Sequence, residues 1–143
     1  MNMNVISMLN AKYFILPDKK SGQPQVQRNP YAMGNAWFVD TLLVVNSANE
    51  ESEALNYIAL SPTAVLDKEF AEYVENFTPE HDPNADVRLT RYTPRYIDYE
   101  YTTSKPGTIV FSEIYYPYGW KTTIDGEKAD IYRVNYMLRA INV

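Results

Sequence analysis

The sequence contains no cysteine, which removes disulfides, thiolate nucleophiles and cysteine-based zinc sites together. That absence leaves the cellular compartment open. Glycine is scarce, at five residues, and no Gly-rich loop of the kind that cradles phosphates is present. Histidine occurs once, at His81. Basic residues are outnumbered, 13 Lys and Arg against 18 Asp and Glu, and the formal charge of −5 repels a phosphate backbone. Nucleic acid is therefore not expected as a partner. The longest apolar run, around residues 42–45, falls far short of the ~20 residues that cross a bilayer. The N-terminal MNMNVISMLN has neither the basic region nor the cleavage site of a signal peptide. What the chain does have is tyrosine, 13 in 143 residues, a residue that suits sheet surfaces and amphipathic contact patches alike. A chain of this length suits one domain and buries roughly 68–70% of its unfolded surface, enough for a core without staples.

The strongest local signal lies in residues 112–132, SEIYYPYGWKTTIDGEKADIY. Asp125-Gly126 stands between two alternating runs, the signature of a two-residue hairpin turn. Such a turn fixes register: Trp120 falls opposite Ile131, Thr122 opposite Ala129, Lys121 opposite Asp130 and Thr123 opposite Lys128. One face is then apolar and the other carries an opposite-charge pair, as a half-buried hairpin requires.

Elsewhere, residues 4–9 suit a short helix or lead-in turn, 12–16 a strand, 17–24 an exposed loop and 25–28 a short edge strand. Residues 36–46 (AWFVDTLLVVN) form the longest β-rich run, apolar on both sides, which predicts a central strand or one covered by a helix. Asn49 is expected to cap a helix of about three turns carrying Ala54, Leu55, Ile58 and Ala59, with Glu50 and Glu51 in its first turn and Pro62 beyond its end. A strand follows at 63–66, and Asp67 then caps a second short helix with Phe70 and Val74 one turn apart. Residues 76–85 are a loop. From Asp86 the period becomes two: Val87 and Leu89, then Ile97, Tyr99 and Tyr101, alternate with polar neighbours. Residues 108–115 are a strand apolar on both sides, and 136–143 complete the series. Together these segments predict a mainly β fold, an antiparallel β-sandwich (jelly-roll-like) with two short helices in the first half. The run Ile141-Asn142-Val143 stops inside a strand-like pattern, the expectation being one domain of residues 1–143 cut from a longer polypeptide.

The alternation identifies no reaction. His81 sits in a Pro/Asp loop beside Glu80 and Asp82, where an idle exposed residue is the simpler expectation. Asp98 and Glu100 share a strand face, the spacing of paired carboxylates or Ca²⁺ ligands, yet also that of solvated strand residues. No Ser nucleophile on a strand-turn-helix and no metal-ligand spacing occurs. The expectation is no catalytic residue, no metal and no cofactor. The best candidate surface is Tyr115, Tyr116, Tyr118 and Trp120, four aromatics around Pro117 and Gly119. Flat rings there can stack on sugar faces while Glu113, Lys121 or Arg95 supply hydrogen bonds; the alternative is that they plug an open end of the sandwich. Residues 29–37 make a second loop with aromatics.

Five blocks in order, KYFI (12–15), NPYAMGNAWFV (29–39), TAVLDKEF (63–70), LTRYTPRYIDYEY (89–101) and FSEIYYPYGWKTTIDGEKADIYRVNYMLRA (111–140), carry a resemblance over nearly the whole chain. The sequence resembles the YfhO-like bacterial membrane proteins, in particular the extracytoplasmic domain near the C-terminal end of Bacteroidetes-type members. The resemblance implies a parent that is a polytopic membrane protein similar to glycosyltransferases using lipid-linked sugars. Its acidic catalytic residues would lie in the membrane part, so none transfers to this chain. It implies an accessory, non-catalytic domain on the periplasmic side of the inner membrane, whose partners are the membrane-embedded part of the parent and a glycan or lipid-linked sugar. Members continue past LRA with a further strand, which leads to the expectation of an open, self-associating edge near residues 136–143. A glycan-binding module and a purely structural or protein-interaction domain are the alternatives.

Overall fold

Short strands and short helices follow one another along residues 2–143, which the computed structural model describes. Asn2 opens α1 (Met3–Met8), its side-chain oxygen accepting from the Asn4 and Val5 amides that a helix start leaves without partners. β1 (Tyr13–Pro17) and β2 (Pro24–Arg28) form an antiparallel hairpin. β3 (Ala36–Val39) and β4 (Thr41–Val45) follow, and α2 (Ala48–Ala54) carries the chain to β5 (Thr63–Asp67), parallel to β4. Asp67 caps a 3-10 helix at Lys68–Tyr73 by accepting from the Glu69 amide. The remaining strands are β6 (Asp86–Tyr92), β7 (Ile97–Thr102), β8 (Thr108–Ile114), β9 (Thr122–Ile124), β10 (Glu127–Ala129), β11 (Tyr132–Val134) and β12 (Leu138–Asn142).

The centre is a four-stranded antiparallel sheet in the order β11-β12-β8-β3. Side chains alternate across a strand, so this sheet divides the apolar residues between two cores. Val110, Ala140, Leu138, Val39, Tyr132 and Val134 face a layer built from α1, α2 and β5, where Met8, Ala54, Leu55 and Val65 are buried. Ile109, Phe111 and Ile141 face the other way, covered by Val87 and Tyr99 of the β6–β7 hairpin and by Ile124 and Ile131 around the β9–β10 hairpin. The fold is mainly β and sandwich-like, as the alternation predicts. Each fully buried side chain such as Leu138 stabilises it by roughly 1.5–3 kcal/mol.

The Asp125-Gly126 turn forms with both residues at positive φ, 51° and 87°, as a type I′ hairpin demands. Thr122 pairs with Ala129 and Thr123 with Lys128, in the expected register. The ladder stops there, because Tyr132 must leave to pair with Ala140. Facing nevertheless holds beyond the ladder: Trp120 and Ile131 are half-buried, Lys121 and Asp130 exposed.

Four expectations are corrected. Residues 36–46 are two strands in different sheets, broken at Asp40, because the Asp40 and Thr41 amides both donate to the Pro62 carbonyl and bend the chain. β4 is an outer strand, and the doubly buried central strand is β8. The helix after β4 is capped by Ser47, not Asn49, and ends at Ala54; Ser47 Oγ accepts from the Glu50 amide while the Glu50 carboxylate accepts from the Asn46 amide, a reciprocal cap of the Ser-x-x-Glu kind. The lead-in at residues 4–9 takes the helical alternative as α1, and the helix after Asp67 is of the 3-10 kind. The edge expected open near residues 136–143 is covered by β11 over Leu138–Ala140, while β8 pairs along β12 on its other side.

Candidate functional site

The β8–β9 loop begins where Pro117 ends any ladder, since proline has no amide to donate. Tyr115 makes the last bond back to the sheet, its amide donating to Met137 O at 2.8 Å. Its ring points inward and meets Phe70 edge-on at 5.7 Å. Tyr116 and Tyr118 point outward, 57% and 89% exposed, with ring centroids 6.0 Å apart and planes at 79°. Gly119 makes this possible: a Cβ there would lie 2.6 Å from Tyr116 Cδ1. The two tyrosines thus form a corner of two perpendicular ring faces in water.

Trp120 lies under the guanidinium of Arg139, 4.6 Å from the ring centroid, within the ~6 Å at which a cation is attracted by an aromatic face. Arg139 is buried in β12 and holds Glu113 of β8 at 3.5 Å. Burial pulls the Arg139 pKa down, and Glu113 pulls it back up. Tyr99 completes the cluster: burial first, then the Glu113 charge, pushes its hydroxyl up to about 12. Arg95 stands on the exposed turn between β6 and β7, and among the described residues no hydrogen bond or ion pair ties it to this loop. The seven expected residues therefore divide, with Lys121 exposed next to Trp120 in the chain. Tyr116 and Tyr118 face solvent together, Glu113 and Trp120 are joined through Arg139, Tyr115 turns inward, and Arg95 makes no bond to them among the described residues. Arg139 was not among the expected residues; its sole sequence signal is a charge inside an apolar strand.

The other polar sites resolve into fastenings. Asp98 pairs with Arg91 at 3.6 Å, and Glu100 accepts from Arg88 Nε at 3.1 Å, so each carboxylate has a cross-strand cation. His81 Nδ1 lies 3.0 Å from Asp40 Oδ2 beside a cavity of about 170 Å³ lined also by Ser61, Pro62, Asp82 and Thr103. Among the described residues no hydroxyl hydrogen-bonds to His81. Asp82 accepts from the Ser104 amide and hydroxyl, the Thr103 hydroxyl and the Asn84 amide. The Ser104 and Asn84 amides lead in holding its carboxyl down to about 2. Lys105 Nζ donates to His81 O. Together these bonds pin the 76–85 loop to the sheet.

A buried carboxylate was also unexpected. Glu51 of α2 is wholly buried, with Oε2 accepting from Arg133 at 3.1 Å and Oε1 from the Tyr136 amide at 2.8 Å. It braces a turn in which Asn135 and Tyr136 have φ of 51° and 70°. Asn135 joins that turn to β5, donating its amide to Val65 O and accepting from the Val65 amide.

No family model, no curated protein and no solved structure matches this chain.

Proposed function

We propose that this chain is a non-catalytic accessory domain of the YfhO-like kind, on the outer side of a bacterial inner membrane, that holds a glycan or lipid-linked acceptor for a membrane-embedded transferase core. The observation that carries the reading is the outward Tyr116–Tyr118 corner. Rings this exposed contribute little to the fold, whereas their apolar faces match the C–H faces of a pyranose and their hydroxyls match its rim. Among the carboxylates beside His81 or paired along β7, Asp98 and Glu100 are held by arginines and Asp82 by amides. The membrane context comes from the five-block resemblance.

The test is titration with envelope oligosaccharides, read by aromatic fluorescence. Sugar binding is expected to shift the emission, and Tyr118→Ala to weaken it about tenfold or more, near 1.4 kcal/mol. Gly119→Ala is expected to displace the Tyr116 ring and weaken binding although both tyrosines are retained in the sequence. Silence towards every sugar, or wild-type binding by these variants, refutes the glycan reading and leaves a structural or protein-interaction domain.

A further inference from the structure

The β1–β2 hairpin belongs to neither core. Every side chain in its strands is exposed except the half-buried Phe14. Its register sets Ile15 against Val26 and Pro17 against Pro24, with Tyr13 against Arg28 at the root. One face therefore presents Tyr13, Ile15, Pro17, Pro24 and Val26, and Ile15 and Val26 are 73% and 69% exposed. A two-stranded ribbon gains little stability alone, and a contiguous apolar face of this kind marks a contact surface.

Charge identifies what the face contacts. Residues 12–28 carry Lys12, Lys19, Lys20 and Arg28 against the single Asp18, a net +3, so the rest of the −5 chain carries −8. Asp18 is turned to shaping the tip, accepting from the Lys20 and Ser21 amides and the Ser21 hydroxyl. Lys19 and Lys20 are consequently displayed at the end of the hairpin, exposed, beside the two prolines. The acidic body is repelled by an anionic surface while the basic, apolar hairpin is drawn to it, which fixes an orientation as well as an affinity.

We propose that the β1–β2 hairpin docks this protein on an anionic lipid bilayer, with Tyr13, Ile15 and Val26 entering the headgroup–acyl boundary and Lys19 and Lys20 on headgroup phosphates. Such a ribbon need not cross the membrane. At the boundary its free edges still find water and headgroup oxygens, so unpaired backbone is tolerated there as it is not in the hydrocarbon. The inference stands on the hairpin alone and is independent of the glycan reading.

The experiment is co-sedimentation of the 143-residue chain with phosphatidylglycerol-containing vesicles and with pure phosphatidylcholine vesicles, at low and high salt. Binding is expected only to the anionic vesicles and is expected to weaken as salt rises. Lys19→Gln with Lys20→Gln should weaken it about 25-fold, at about fivefold per surface cation. Ile15→Ser with Val26→Ser should weaken it at least as much, with an unchanged thermal midpoint because both residues lie outside the cores. Absence of binding to anionic vesicles at low salt, or wild-type binding by both double variants, overturns the proposal. So does a dimer in sedimentation velocity that Ile15→Ser with Val26→Ser dissolves in the absence of vesicle binding, since the face then serves a second copy of the chain.

Discussion

Replacing Glu51 with alanine removes the brace of the Asn135–Tyr136 turn. Two bonds are lost, from the Tyr136 amide at 2.8 Å and from Arg133 at 3.1 Å. An amide stranded without its charged acceptor costs about 1–3 kcal/mol, and it belongs to a tyrosine already held at positive φ, a conformation costing about 1–2 kcal/mol without glycine. Arg133 loses its counter-charge but keeps its place over the Phe70 ring at 4.9 Å and some access to water, which adds about 1 kcal/mol. Relief of the carboxylate's desolvation works the other way. The net expectation is a loss of about 2–4 kcal/mol, near the lower end for a broken buried pair, or roughly 5–15 °C in thermal midpoint. Urea unfolding followed by fluorescence measures it. Glu51→Gln keeps an acceptor for the Tyr136 amide and is expected to lose about half as much. The pH dependence has a definite sign. Burial raises the Glu51 pKa above its ordinary 4.5, so the folded chain holds this proton more tightly than the unfolded one. The group's contribution is greatest below pH 4.5 and is lost as pH rises through the folded value, and Glu51→Gln flattens that part of the profile. An alanine variant within about 0.5 kcal/mol of wild type, or glutamine as damaging as alanine, refutes the bracing role.

Asp82 predicts the opposite pH behaviour. Its carboxyl is held down to about 2 from 3.8 by the Ser104 and Asn84 amides, so its contribution is complete above pH 3.8 and is lost as pH falls towards 2. Asp82→Asn should remove that acid dependence and speed proteolysis within residues 76–85; an unchanged acid midpoint and cleavage rate counts against the pinning role. Gly107→Ala places a Cβ 2.9 Å from the Phe38 ring, which packs beside Ile109 and Phe111. A loss of about 1–3 kcal/mol in urea unfolding is expected, and a change inside about 0.5 kcal/mol means that Phe38 yields freely.

Much of the candidate site was legible before folding. Pro117 and Gly119 announce a loop whose rings either face solvent or plug an open end of the sandwich, and the pattern left both open. Which rings turn inward was not legible, because Tyr115 is decided by Phe70 of the 3-10 helix and Trp120 by Arg139 of β12.

The fold divides along the same line. The hairpin at Asp125-Gly126, the doubly apolar strand 108–114 and the alternating β6–β7 pair follow from turn chemistry and period two, which act over a few residues and survive in any packing. The break at Asp40 needed the Pro62 carbonyl, 22 residues further along the chain. The second tight turn, at Asn135–Tyr136, has no glycine to announce it and is held in place by Glu51 and Val65. Local pattern decides what a segment is able to become. The parallel pairing of β4 with β5, and the partner of every buried charge, are decided only when distant segments compete for the same carbonyls and amides.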